Sequence, residues 1–328
     1  MNLLRPVLAL ALVLGACFLS ARYTAHHTID DPFVALYSHL VPAPLVSPAA
    51  HGDESGADHA TDHATDHAAG APHYLVQVPA DWAPAAFDAN PAEAGTQFVL
   101  TNLQIFQICA VLLIFVCFSG VPKYLRTGQG DSLSKLFAGF ALWIRDEMVY
   151  PAMGRETGKK LLPYFLTLFF FVMFMNLLGL IPGSATATAS IFVTAGLAIT
   201  TLVMMVVGGM IVQGPIGYWK HLVPHVPIAL LPLMIPLELL GLIVKPFALT
   251  VRLFANMTGG HMVVLSFMGL LFFMARGAGE MAAYATSPLV VGFAVFIMII
   301  ESFVALLQAY VFTMLSIMFI QASFHPDH

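Results

Sequence analysis

The sequence predicts an all-α integral membrane protein with about five membrane segments, and three observations carry that prediction. Hydrophobic residues make up 59% of the 328 residues and charged residues only 9%, whereas a soluble domain is about a quarter charged. Mean hydropathy is +0.84, and several apolar runs exceed the ~20 residues that a bilayer span needs. The charge is also segregated along the chain. No Lys or Arg lies between Arg22 and Lys123, a stretch that holds Asp30, Asp31, Asp53, Glu54, Asp58, Asp62, Asp66, Asp81, Asp88 and Glu93. Lys123, Arg126, Lys135, Arg145, Arg155, Lys159 and Lys160 then follow close together. The formal net charge of -5 therefore averages two regions of opposite character. So few basic residues leave no footprint for nucleic acid, and no Gly-rich phosphate loop offers to bind a nucleotide.

Residues 1–21 read as a secretory signal peptide, with Arg5 ahead of an apolar run that ends in small residues. Leu14-Gly15-Ala16-Cys17 resembles a lipoprotein processing site, which would make Cys17 the lipidated residue; an uncleaved anchor is the alternative. Either outcome sends the acidic tail, 22–97, outward. Within it, 48–73 is of low complexity and repeats Asp58-His59, Asp62-His63 and Asp66-His67. On a helix His59, His63 and His67 would share a face suited to zinc or copper. The Ala- and Gly-rich context offers no core to hold such a helix, so a solvated, disordered insert is the better reading.

The membrane domain, 98–328, begins with spans at 98–121, 161–181 and 187–212. Cys109 and Cys117 share the first span and stand too far apart along it to bond. Residues 132–150 mix Leu133, Phe137, Phe140 and Ile144 with charges, the pattern of an amphipathic helix on a membrane surface. Segments 228–275 and 284–321 are unusually long. As helices they would measure about 70 and 57 Å against a hydrocarbon core of about 30 Å, so strong tilt in a hairpin is expected. The competing reading breaks the first of them at Gly259-Gly260. Basic loops stay inside, which puts 122–160, Lys220 and the C-terminus in the cytoplasm and the acidic tail outside.

In so apolar a chain the ionisable residues at membrane depth are the informative ones: Glu238, Lys245, Arg252, His261 and Glu301. A charge at the bilayer centre costs about 2.5–3.5 kcal/mol on insertion scales, so each needs a reason. Mutual neutralisation or snorkelling of Lys245 to an interface is the structural one. Glu238, Lys245 and Arg252 recur every seven residues and so share a helical face, with Asn256 one turn on. Glu301 and Gln308 repeat the step in the last segment. Two polar stripes on two long helices would form a seam able to hold water and relay protons. Arg keeps its proton where Glu and His can release theirs, so a fixed cation between relays acts as a barrier.

The run Arg252-Leu253-Phe254-Ala255-Asn256-Met257-Thr258-Gly259-Gly260-His261 resembles the signature segment of the subunit a family of F-type ATP synthases. Lys245-Pro246, Asn176-Leu177-Leu178-Gly179-Leu180-Ile181-Pro182, Leu306-Leu307-Gln308-Ala309-Tyr310-Val311-Phe312 and the tail's Asp30-Asp31-Pro32 add to the likeness. The resemblance implies a non-catalytic proton-channel stator in a bacterial inner membrane, partnered by a ring of c subunits, a b-subunit peripheral stalk and membrane lipid, with no cofactor. Arg252 would face the ring carboxylate, Glu238 would serve the cytoplasmic half-channel, and Asn256, His261, Glu301 and Gln308 the outer one. Lys245 and Asn176 would be polar support. Some bacterial members carry Glu and His where this chain has His261 and Glu301, so a pair meeting across the hairpin is expected. The rival readings are a stand-alone secondary transporter, against which this sequence shows no internal repeat of the kind usual in such folds, and a periplasmic metal-binding lipoprotein.

Overall fold

The computed structural model describes residues 4–23, 77–78, 98–99, 101–181, 184, 186–221 and 231–324. The insert at 48–73, with His59, His63 and His67, and the Asp30-Asp31-Pro32 motif lie outside the described residues.

Among those described, the fold is helical apart from two-residue strands β1 (Gln77–Val78) and β2 (Phe98–Val99), paired antiparallel. Six helices are long and apolar enough to cross a membrane, where the sequence reading has five segments after a removed leader. The sixth is α1 (Leu4–Tyr23), which packs against α2 (Asn102–Phe118). Ala16, Leu103, Phe106, Cys109 and Leu113 form their shared apolar cluster. Arg5 reaches past the end of α2, donating to Ser134 Oγ at 2.8 Å and pairing with Asp131 at 3.5 Å. The guanidinium lies where a side chain at Gly120 would stand, so Gly120→Val is expected to expel it. Loss of a cross-link between cysteines placed on α1 and α2 would register the change.

Next come α3 (Val121–Thr127), closed by a left-handed Gly128 (φ 67) as such ends favour, and α4 (Ser132–Trp143). A π-helical turn over Ile144–Val149 links α4 to α5 (Tyr150–Met153). The expected amphipathic helix is thus present but broken in character. Phe137, Ile144, Met148 and Val149 are buried, while Leu136, Phe140 and Trp143 stay exposed. Phe118, Phe137 and Phe170 close a ring cluster with centroids 4.8–5.7 Å apart, which ties α4 to α2 and α6 (Arg155–Gly179).

The third span starts later than 187. A 3-10 turn, Ala187–Ala189, precedes α7 (Ile191–Gln213). The reason is local hydroxyl chemistry, since Ser and Thr satisfy nearby backbone groups in non-helical turns. Ser184 Oγ donates to the Leu178 carbonyl at 2.6 Å and Thr186 Oγ1 to that of Gly179 at 3.1 Å. The Gly179 carbonyl is one that the end of α6 leaves to a side chain, and the Leu178 carbonyl accepts from Ile181 N–H at 3.2 Å as well.

After α8 (Pro215–His221) the chain ends in α9 (Leu231–Ala278) and α10 (Glu280–Phe324), hinged at Gly279 (φ 89). The expected long hairpin is there, and α9 runs unbroken through Gly259-Gly260. Phe267 and Phe293 stack across it at 5.6 Å. Helix α7 packs on both long helices. Thr201 and Ser316 hydroxyls lie 3.1 Å apart, and Ser323 donates to the Met205 carbonyl at 2.6 Å. A Cβ on Gly209 would stand 2.6 Å from Ser323 Oγ and from the Tyr218 ring. Gly209→Val is therefore expected to destabilise the assembled protein by about 1–3 kcal/mol, read as a lower Tm in detergent. Gly196→Ala, with nothing within 4 Å of the new carbon, is the control and should not lower it.

Candidate functional site

Where α9 crosses α10, the sequence supplies small residues and polar ones together, and this decides the geometry. Gly260 has no side chain, and a Cβ there would lie 2.5 Å from Glu301 Oε1. Glu301 of α10 therefore lies directly on the α9 backbone, 5% exposed. His261, the next residue, brings Nε2 to 3.7 Å from Glu301 Oε1, so the expected pairing across the hairpin exists. The distance exceeds that of a hydrogen bond, and neither carboxylate oxygen has a hydrogen-bond partner among the described residues. On its other side His261 Nε2 lies 2.8 Å from Thr186 Oγ1.

A second polar contact lies further along the same crossing. Asn256 Nδ2 donates to Gln308 Oε1 at 2.7 Å, as two stripes meeting in a seam require. Gln308 is 2% exposed, and its Nε2 is buried without a partner. Thr313, fully buried on α10, likewise has an unpaired Oγ1. Buried polar groups are rarely left unsatisfied in native proteins. Their accumulation along this seam marks a place where water or a transferred proton can supply the missing bonds.

Other candidates stand apart from this cluster. Arg252 is exposed on α9 and has no ion pair or hydrogen bond among the described residues. The surface around it is apolar, with Ile243 57%, Phe247 63% and Val251 38% exposed. Glu238 is exposed too, about 21 Å before Arg252 at 1.5 Å per residue. Lys245 is half-buried, and its Nζ lies 5.9 Å from the Phe319 ring centre, a cation–π distance. Asn176 is fully buried on α6 and donates to the Ala305 carbonyl at 3.3 Å, a bond that fixes α6 on α10.

The sequence reading did not single out Thr186 or Thr188. The alternation Ser184, Thr186, Thr188, Ser190 with alanines between was a visible signal, because so many hydroxyls are unusual at the start of an apolar run. Thr258 of α9 reaches back to the Ala189 carbonyl at 3.5 Å, so this turn is held against the site. Among the described residues no group of His, Cys, Asp and Glu could hold a metal ion.

Fold and site together define a polytopic α-helical membrane protein whose long terminal hairpin encloses ionisable and amide side chains. Residues 104–321 match the family model described as ATP synthase A chain. The chain belongs to that family. It is 44% identical to the ATP synthase subunit a of Myxococcus xanthus over 211 residues, 63% of this chain and 66% of that protein. It is 41% identical over 218 residues to that of Anaeromyxobacter dehalogenans, covering 66% and 55%. Against the ATP synthase subunit a 2 of Chlorobaculum tepidum it is 40% identical over 239 residues, covering 71% and 66%. The matched stretch thus spans about half to two thirds of these relatives.

Proposed function

We propose that this chain is the proton-conducting stator subunit of an F-type ATP synthase, with no catalytic site of its own. The observation that carries the reading is Arg252, a cation without a partner among the described residues, on an exposed apolar face and close along α9 to a seam of titratable and amide groups. An unpaired arginine at membrane depth is expensive, and a carboxylate brought to it by a neighbouring protein would offset that cost. A ring of c subunits, each with one carboxyl group, fits such a face. Asn256, Gln308, His261 and Glu301 make the relay of the outer half-channel. Glu238, alone on its stretch of α9, serves the cytoplasmic one. A b-subunit stalk would hold the chain against the turning ring in a bacterial inner membrane. Proton flow is then coupled to ATP synthesis because a proton blocked at Arg252 must travel with the ring.

The orientation follows from the basic loop being cytoplasmic. Arg5 meets Asp131 in that same region, which supports a start of α1 inside and a tail outside. The Arg5 seat also favours α1 as a retained anchor over a cleaved leader, since cleavage would leave Ser134 and the notch at Gly120 without their occupant. The intact mass of the mature subunit is expected to include α1; a mass beginning at Cys17 with added acyl chains would establish lipidation instead.

The partner face is tested by placing a cysteine-reactive photo-cross-linker at Val251→Cys in native membranes, in a Cys17→Ser background because Cys17 is half-buried while Cys109 and Cys117 are buried. Cross-linking to the ring-forming subunit is expected. Phe192→Cys, 80% exposed on α7, should label lipid or another subunit. A Val251→Cys probe that never finds the ring subunit would remove the stator reading.

A further inference from the structure

Thr186 is 2% exposed and stands between two groups that each want its single hydroxyl proton. Its Oγ1 lies 2.8 Å from His261 Nε2 and 3.1 Å from the Gly179 carbonyl oxygen. The fit is close on both sides. A Cβ on Gly179 would come within 2.7 Å of Thr186 Cγ2, so Gly179 makes room for Thr186 as Gly260 makes room for Glu301. The turn itself is fastened to α9 through Thr258 and the Ala189 carbonyl. Thr186 is therefore held against the site by several contacts.

A hydroxyl has one proton and two lone pairs, and this decides what it can do here. With its proton on the Gly179 carbonyl, Oγ1 presents a lone pair to Nε2 and matches an imidazole that carries a proton there. With the O–H turned toward His261, it donates to an Nε2 that has lost its proton. One bond rotation thus satisfies His261 in either state. Among the described residues no other side chain does this for Nε2, because Glu301 Oε1 at 3.7 Å is beyond hydrogen-bond range.

We propose that the Thr186 hydroxyl is a positioning residue for proton transfer between His261 and Glu301, holding Nε2 bonded both before and after the proton leaves. No covalent bond changes at Thr186: once the pair closes from 3.7 Å to hydrogen-bond distance, the proton leaves Nε2 for a Glu301 carboxylate oxygen, and the hydroxyl rotates to follow it. The inference rests on the outer half-channel assignment for His261 and Glu301. It adds Thr186 and the turn that follows it as a third wall of that path, beside the two long helices.

The test is ATP-driven proton pumping in inverted vesicles that carry the assembled complex. Thr186→Val keeps the shape and removes the hydroxyl, and Thr186→Ala removes it without any risk of overpacking. Both should slow pumping about tenfold, the order expected when a buried donor loses its partner. Thr186→Ser keeps the rotor and should pump within about twofold of the native chain. A Val variant as active as native, or a Ser variant as slow as Val, would overturn the proposal. If Val fails to assemble, the Ala variant decides on the same terms. Arg252→Ala in the same preparation separates the two levels. Its normal pumping would remove the half-channel assignment itself, whereas its loss beside an active Thr186→Val and Thr186→Ala would remove this inference alone.

Discussion

Arg252→Ala is expected to reduce ATP-driven proton pumping to below about one hundredth of the native rate while the complex still assembles. Assembly should survive because Arg252 is exposed and has no ion pair or hydrogen bond among the described residues, so its removal orphans no buried group. The size of the effect follows from simple electrostatics. A fixed positive charge opposes a proton about 4 Å away by about 4 kcal/mol at an effective dielectric of 20. That corresponds to about a thousandfold barrier against leakage. Removing it should therefore also raise passive proton conductance once the catalytic sector is stripped off. Arg252→Lys should fall between, since an ammonium is a compact charge that can lose its proton in an apolar site. Pumping and conductance measured on the same vesicles give both numbers. Unchanged pumping in Arg252→Ala would mean that the arginine is structural.

Glu301→Leu should be nearly as severe, with pumping down more than tenfold. The carboxylate is 5% exposed and lies on Gly260, and neither oxygen has a hydrogen-bond partner among the described residues. Removing a buried carboxylate that makes no hydrogen bond orphans no bonded group and relieves its desolvation cost, so loss of pumping in an assembled complex would report on the relay. The exchange His261→Glu with Glu301→His tests whether the pair acts as a unit. Either single change places two like groups together, and the double change restores one carboxylate and one imidazole. Recovery should be partial, because an imidazole at position 301 presses on the bare backbone of Gly260. An exchange no better than the worse single variant would mean that the two side chains act separately.

Much of this could be read before any coordinates. The helical class, the long terminal hairpin and the polar positions along it follow from composition and from spacings of seven, which one helix alone determines. The amphipathic stretch at 132–150 was legible as a pattern. Its π-helical turn was not, because burial of Ile144, Met148 and Val149 against α6 is a property of the packed pair. The start of α7 was misplaced for a similar reason. Hydropathy scores Thr188 and Ser190 as tolerable in a span, whereas the Ser184 and Thr186 hydroxyls bond the carbonyls at the end of α6 and draw the neighbourhood into a turn.

The sequence by itself determined the membrane class, the family likeness and the set of ionisable residues at membrane depth, because apolar length and charge placement act locally along one chain. Only the tertiary structure decided which of those residues meet. It joined His261 to Glu301 and Asn256 to Gln308, left Arg252 and Glu238 on the outer face, and brought Thr186 in from another loop. The physical reason is that these contacts depend on how closely helix backbones approach. That approach is set at Gly260 and Gly179 by the absence of a side chain, and it becomes visible only when the opposing helix or turn is in place.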